Sequence, residues 1–259
     1  MLSDEKTDEI EYKIESRLSK LKHKQLANGF KSNKTINEVL DKTTMMTLYA
    51  MINSHLIAYV NGAIRSGKES VVFWAVDNKQ HDIALKIYLV STSNFKRRMS
   101  YILGDPRFSK IKSGTRNLVY LWAKKEFKNL TQCYEKGIPV ARPIRVENNV
   151  LAMEFVGKNG IPEKTLLETQ VSQADYNLTI SIIKKLYKDA KLVHGDLSEY
   201  NIFKTEKGLI LFDLGSAVDL RHPNAKEFLK RDINNISKFF VKRGLTVENP
   251  TDVFEKVIN

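Results

Sequence analysis

The spacing of hydrophobic and polar positions changes period along the chain. In residues 5–27, Ile10, Ile14, Leu18, Leu21 and Leu26 fall near helical spacing and predict an amphipathic helix, stopped at Gly29 in ANGF. A second helix is expected from near Thr35 or Asp41 towards Ser54. The texture then turns to short β-branched and aromatic runs, LIAYVNGAI, ESVVFWAVD and DIALKIYLV, with an Asp77-Asn78 turn between the second and third. These runs predict the start of an antiparallel sheet. Residues 115–136 return to helical period: Leu118, Leu121, Trp122, Phe127, Leu130 and Tyr134 form an apolar stripe, and Gly137 and Pro139 stop it. PIRVENNVLAMEFV reads as two strands around an Asn-Asn turn. Beyond Gly157 the pattern is helical again, above all at 172–190, followed by small apolar strands in NIFKT and GLILFDL and then helices to the end. Strands come early and helices late, which predicts an α+β chain of two lobes. The expected division is a helical extension over 1–50, a lobe of antiparallel sheet plus one long helix over 51–155, and a mainly helical lobe over 156–259.

Composition narrows the class. Hydrophobic residues make up 42 % of 259, an ordinary globular proportion. Cys133 is the single cysteine, so no internal disulfide can form, which suits a reducing compartment. No run approaches the ~18 apolar residues that a membrane span needs. The opening MLSDEKTDEIEYKIESRL is charged throughout, unlike a secretory signal. The expectation is a cytoplasmic protein with no membrane partner. The net charge is +12, and it is unevenly spread. Residues 61–150 hold 17 Lys/Arg against 7 Asp/Glu, and Lys86 to Lys128 holds 11 against 2. A basic field this concentrated attracts polyanions such as nucleotides, RNA or acidic protein tails, although charge clusters also serve simply as solvated faces.

VNGAIRSGKESVVFWAV, residues 60–76, carries the start of a Walker A loop, with Gly62 followed by Gly67-Lys68. Glu69 then stands where Ser or Thr should be. A Walker A loop opens a helix, whereas VVFWAV reads as a strand. The stretch is therefore expected to join two strands and lie over phosphates as a flap, with Ser66, Gly67 and Lys68 as phosphate contacts.

LVHGDLSEYNIF is the most informative stretch. Asp196 precedes Asn201 by five positions, and Asp213 follows in LFDLG at a strand end. One carboxylate to orient an acceptor hydroxyl, plus an amide oxygen and a second carboxylate to hold Mg²⁺, is what metal-assisted phosphoryl transfer requires. Any one of these could be a turn residue; a preceding His-Gly and the short interval to D-x-G argue otherwise for the set. His194 is expected to pack the loop rather than act as a base. Lys86 in IALKIY lies within an otherwise apolar strand, where a lysine is unfavourable unless paired. It fits the V-A-I-K strand motif of protein kinases, whose lysine meets the α/β-phosphates and a helix glutamate. Glu126 is the only acidic residue in LWAKKEFKNL and is the expected partner. LAMEFVG resembles the linker between kinase lobes, which places Met153, Glu154 and Val156 around adenine.

Taken together, these residues resemble the RIO family of atypical serine/threonine protein kinases, its first subgroup above all, from about Asp41 to the C-terminus. LVHGDLSEYN is similar to that subgroup's catalytic loop, SGKES to its S-T-G-K-E-A loop, LWAKKEFKNL to its W-A-x-K-E-x-x-N-L helix, and NFKRRMSYILGDPRF to its flexible insertion. Arg65-Ser66 departs from the usual Ser-Thr, and FDLGSAV from the usual I-D-[VL]-[SG]-Q-[SA]-V, which puts the packing of the loop after Asp213 in doubt. Only 46 residues follow Asp213, and they hold no A-P-E, so a trimmed kinase fold without the peptide-docking region is expected. The resemblance implies ATP and Mg²⁺ (with Mn²⁺ able to substitute) as cofactors. It makes Asp196 the catalytic base, Lys86 and Asn201 ATP contacts, and Asn201 and Asp213 the metal ligands. It further implies phosphorylation of a protein substrate or of the chain itself, an ATPase variant in which the metal-binding aspartate is transiently phosphorylated, and a role in maturing the small ribosomal subunit. Pre-ribosomal RNA would meet the basic segment 86–128. A small-molecule kinase of the aminoglycoside or sugar type, and a non-catalytic ATP-binding assembly factor, are the rival readings.

Overall fold

A computed structural model describes residues 40–90, 99–108 and 114–259. The helix expected over 5–27 lies outside the described residues, as does Thr35, the earlier of the two starts expected for the next helix. The described chain divides into two compact units: the first takes the chain up to Thr92 together with Ile144–Pro162, and the second takes Ser93–Pro143 and Glu163–Asn259.

The first unit is a five-stranded sheet with a helix on one face. Helix α1 (Lys42–Asn53) starts where the Asp41 carboxylate accepts the Thr44 N–H at 2.8 Å, satisfying one orphan donor of the first turn. Strands β1 (Tyr59–Ser66), β2 (Ser70–Val76), β3 (Asp82–Tyr88), β4 (Pro143–Glu147) and β5 (Val150–Glu154) lie in the order β1-β2-β3-β5-β4. The pleat sorts their side chains. Val71, Phe73 and Ala75, Ile83, Leu85 and Ile87, and Val150 and Ala152 form one core with Leu48 and Met51 of α1. The residues between them point to the opposite face, where register aligns Val72, Lys86 and Leu151, and beside them Trp74, Ala84 and Met153. The Asn-Asn turn expected between β4 and β5 is pinned to α1: Asn148 donates to the Thr47 hydroxyl at 2.9 Å and Asn149 to the Thr44 hydroxyl at 2.8 Å. Asn149 also donates to the Tyr88 carbonyl at the end of β3. A short hairpin follows, β6 (Gly157–Lys158) and β7 (Ile161–Pro162). Asp82 holds it, accepting the Trp74 indole N–H and the Asn159 N–H on its two oxygens.

The second unit is mainly helical. It contains α2 (Thr115–Glu135), α3 (Gln173–Lys188), α4 (Ala225–Lys242) and α5 (Pro250–Ile258), with the hairpin β9 (Ile202–Thr205) and β10 (Gly208–Leu211). A two-residue pair, β8 (Leu192–Val193) with β11 (Val218–Asp219), is too short to leave a pattern in the sequence. Helix α3 begins with a capping box in which Ser172 and Asp175 bond each other's backbone N–H groups; α5 begins with Asn249 as cap and Pro250 in the first turn.

Two expectations change here. The long helix α2 groups with the helical unit, not with the sheet. Its buried face is also rotated from the apolar stripe: Tyr134 is exposed, while Val119, Trp122, Ala123, Lys125, Glu126, Asn129, Leu130 and Cys133 are buried. Three of those eight are polar or charged, and two of them, Lys125 and Asn129, satisfy carbonyls of a loop packed against them, which a hydrophobicity pattern does not register.

Candidate active site

In the first unit, β1 and β2 are joined by a three-residue loop, Gly67 to Glu69, closed by the Gly67 N–H donating to the Ser70 carbonyl at 2.9 Å. Strand follows strand, so the loop is no Walker A helix start. Ser66, Gly67 and Lys68 are exposed at its tip. Lys86 sits in the middle of β3, 6 % exposed, on the sheet face opposite α1, with its ammonium 5.2 Å from the centre of the Tyr88 ring. On that same face Met153 is buried next to Ala84, while Glu154 ends β5 in solvent and Val156 is half-buried.

In the second unit, the segment after β8 forms a tight loop. Gly195 has φ +77, and a Cβ there would stand 2.8 Å from the Ser216 carbonyl oxygen, so this glycine is required both by backbone angle and by close approach. Asp196 is exposed. The Asn201 side-chain amide donates to the Asp196 carbonyl at 2.9 Å, which directs its own amide oxygen away, and the Phe212 N–H donates to the Asn201 carbonyl at 3.0 Å. These bonds tie the Asp196–Asn201 loop to the strand end that carries Asp213. Asp213 itself adopts φ 61, ψ 55, a left-handed conformation that is strained for a non-glycine residue and is found at sites the surroundings over-determine. His194 is fully buried. Burial lowers its pKa to about 4 despite the opposing Asp213 charge, so the imidazole is neutral at pH 7 and packs the loop.

The loop after Asp213 is held by residues that sequence reasoning passed over. Lys125 of α2 has no exposed surface, and its ammonium donates to the Gly215 carbonyl at 2.9 Å and to the Ala217 carbonyl. Asn129, one turn on, donates to the Leu214 and Ala217 carbonyls at 2.8 and 2.9 Å. The Asn129 oxygen accepts from Arg107 at 2.8 Å, and Arg107 forms a bidentate pair with Asp105. Burial pushes the Asp105 carboxyl up, but the Arg107 bonds and charge prevail and hold it below the usual carboxylate range. Gly215 lies against α2: a Cβ there would come 2.8 Å from the Trp122 nitrogen and 3.3 Å from Glu126 Oε2. The doubt raised by FDLGSAV is thereby answered, since the variant loop is packed and capped at three carbonyls. The only signal was the spacing of Lys125 and Asn129, i and i+4, within the W-A-x-K-E-x-x-N-L resemblance.

Asp232 of α4 was also missed. It is 1 % exposed, and its two oxygens accept the Gly195 and Leu197 N–H groups at 2.8 and 2.9 Å, one on each side of Asp196. Burial raises its pKa to about 7, against the pull of those two N–H groups and Arg231. In sequence it is one more charge in a helix.

Asn201 and Asp213 offer an amide and a carboxylate oxygen, the donor types Mg²⁺ prefers, and Mg²⁺ retains waters and substrate oxygens for its remaining positions. Among the described residues no group of three or more His, Cys, Asp or Glu is disposed for a metal. No helix among the described residues is long and apolar enough to cross a membrane.

A five-stranded antiparallel sheet with a buried lysine on its third strand, and a helical unit carrying an Asp–Asn loop and an Asp-Leu-Gly turn, is a protein-kinase-like fold. Comparison with known proteins specifies the kind. The model described as RIO domain matches residues 71–253. The RIO-type serine/threonine-protein kinase Rio1 of Methanocaldococcus jannaschii is 44 % identical over 216 residues, which span 81 % of this chain and 72 % of that protein. The serine/threonine-protein kinase RIO1 of Caenorhabditis elegans is 36 % identical over 231 residues, 87 % of this chain but 46 % of the worm protein. Among solved structures, the Rio2 kinase–ADP/Mg²⁺–phosphoaspartate complex from Chaetomium thermophilum superposes with a TM-score of 0.63 at 24 % identity, over 82 % of this chain and 65 % of that one, a likeness of fold. The chain belongs to the RIO domain family.

Proposed function

We propose that the chain is an ATP- and Mg²⁺-dependent atypical serine/threonine kinase. The observation that carries this is the second unit's loop pair: an exposed Asp196 whose flanking backbone is held by Asp232, an Asn201 amide turned outward by its bond to Asp196, and a left-handed Asp213. In this reading Asp196 accepts the proton of the acceptor hydroxyl, and Asn201 and Asp213 hold Mg²⁺, which neutralises phosphate charge when bound. Lys86 orients the α- and β-phosphates with Glu126 as its partner. Ser66, Gly67 and Lys68 cover the phosphates from the strand loop, and Met153, Glu154 and Val156 border the adenine. The family names of the relatives support a protein substrate over a sugar or aminoglycoside.

The test follows labelled ATP with Mg²⁺ in wild type, Asp196→Ala and Asp213→Ala, measuring released phosphate and phosphoprotein together. Loss of both products by more than about a hundredfold in each variant is expected. Turnover that survives Asp196→Ala would refute catalysis by this loop. Label on serine supports the kinase reading; hydroxylamine-labile label that vanishes with Asp213 supports an ATPase switch in which Asp213 is the acceptor. A role in small-subunit maturation, with pre-ribosomal RNA on the basic stretch between Lys86 and Lys128, rests on charge and on the resemblance. Lys96, Arg97 and Arg98 lie outside the described residues. Charge reversal at all three that left RNA affinity and its salt slope unchanged would dismiss that contact.

A further inference from the structure

The segment 99–108 between β3 and α2, whose Arg107 supports Asn129, also reaches the loop that carries Asp196. Residues 99–108 are seated on the second unit by several independent contacts. The His222 ring settles their backbone: its Nδ1 accepts the Asn224 N–H, so its Nε2–H is shared between the Ser100 and Leu103 carbonyls, each at 2.9 Å. Gly104, at φ +88, touches Pro223 so closely that a Cβ would meet the ring at 2.8 Å. Ile102 is 1 % exposed. Thus anchored, Tyr101 lies over Phe228 of α4, ring centres 5.0 Å apart, and meets the Trp122 ring edge-on. Its ring edge stands 3.4 Å from where a Cβ on Gly195 would be. Its hydroxyl accepts from Arg231 Nη2 at 3.1 Å, and the same nitrogen donates to the Gly195 carbonyl. The guanidinium lies over the Phe228 ring at 4.9 Å.

We propose that Tyr101 is a positioning residue for phosphoryl transfer, its hydroxyl holding Arg231 against the Gly195 carbonyl and so setting the peptide that joins Gly195 to Asp196. The inference rests on the reading of Asp196 as the catalytic base. Its physical content is specific. Nη2 carries two protons, and the two acceptors take one each. Without the hydroxyl, the long and otherwise exposed Arg231 side chain regains rotamers, and only one bond restrains it. The peptide between Gly195 and Asp196 is then held less firmly on its carbonyl side, while Asp232 stays on the neighbouring N–H groups. The Tyr101 ring, by contrast, contributes packing alone.

Tyr101→Phe removes the hydroxyl and keeps the ring. The expected result is a kcat for Mg·ATP turnover lower by about tenfold, the size of one bond to a charged group. The KM for ATP should stay within about twofold, since the loop rather than the nucleotide is disturbed. Amide exchange at Gly195 and Leu197 should quicken, and the thermal midpoint should hold. In an Arg231→Ala background the same substitution should lower kcat no further, because the hydroxyl acts only through Arg231. Unchanged kcat and exchange in Tyr101→Phe, or an equal loss in both backgrounds, would overturn the proposal. Asp196→Asn is run in parallel. If it abolishes turnover while Tyr101→Phe is silent, the positioning role fails and the catalytic reading stands. If Asp196→Asn stays active the catalytic reading fails, and the exchange measurement alone decides whether Tyr101 holds the loop.

Discussion

Asp232 sets stability against function, and the conflict has a sign that can be measured. Its carboxyl is buried with a pKa of about 7, against 3.8 when exposed. Between those values the folded protein holds a proton that the unfolded chain releases, so stability is full below about pH 4 and falls as pH rises through 7. At 1.36 kcal/mol per unit, a shift of about three units amounts to at most about 4 kcal/mol between pH 4 and pH 7. Asp232→Asn has the same shape and no charge to bury. Urea unfolding of wild type and variant, followed at pH 4, 5, 6 and 7, should show a difference near zero at the acid end that grows in the variant's favour towards neutrality. Other titrating groups cancel in that difference because both proteins carry them. Turnover should move the opposite way. The carboxylate offers an acceptor to both the Gly195 and Leu197 N–H groups, and an amide can serve only one. Loss of one such bond beside Asp196 predicts a kcat down by about tenfold at pH 7. A stability difference that stays flat with pH, or grows as pH falls, would refute the burial argument; a variant that is stabilised yet fully active would refute the positioning argument.

His194 titrates in the contrary sense: its folded pKa of about 4 lies below the ordinary 6.5, so wild type should gain about 3 kcal/mol as pH rises from 4 to 6.5, and His194→Gln should lack that gain in paired unfolding curves. Lys125→Met keeps the length of the side chain but leaves the Gly215 carbonyl without its ammonium. We expect about 2 kcal/mol of lost stability by chemical denaturation and a weaker Mg²⁺ dependence of turnover, since Asp213 begins the loop that Lys125 caps; unaltered Mg²⁺ dependence would separate the cap from the metal.

Much of the sheet and of the proposed chemistry was legible in the linear pattern. VVFWAV is a continuous β-branched and aromatic run, and that told a strand–loop–strand from a Walker A loop. IALKIY placed a lysine among apolar residues, and the structure puts it on the one face of β3 that does not pack on α1. The Asp196, Asn201 and Asp213 spacing lay between strand ends, and β9 and β10 supply those ends. In each case the information is local: side chains two or three positions apart reveal which face is buried, and loop residues stand beside the strands that hold them.

The supporting residues were decided by tertiary structure. Lys125 and Asn129 are buried because they cap carbonyls 85 to 92 residues further along, in a loop that packs against α2 only once the chain has folded. Asp232 and Arg231 are neighbours in sequence, one buried and one exposed, and both act on a glycine, 37 and 36 residues earlier respectively. Hydrophobic periodicity reports the average affinity of a helix face for water, so it ranked Tyr134 above Lys125 on α2. A buried charge instead depends on particular partners, brought within 3 Å only when the chain folds. The sequence by itself thus determined the strands of the five-stranded sheet, the order of the loops and the residue types proposed to meet phosphate and metal. Folding determined which polar side chains hold those loops still, because hydrogen bonds between distant segments leave no period in the sequence.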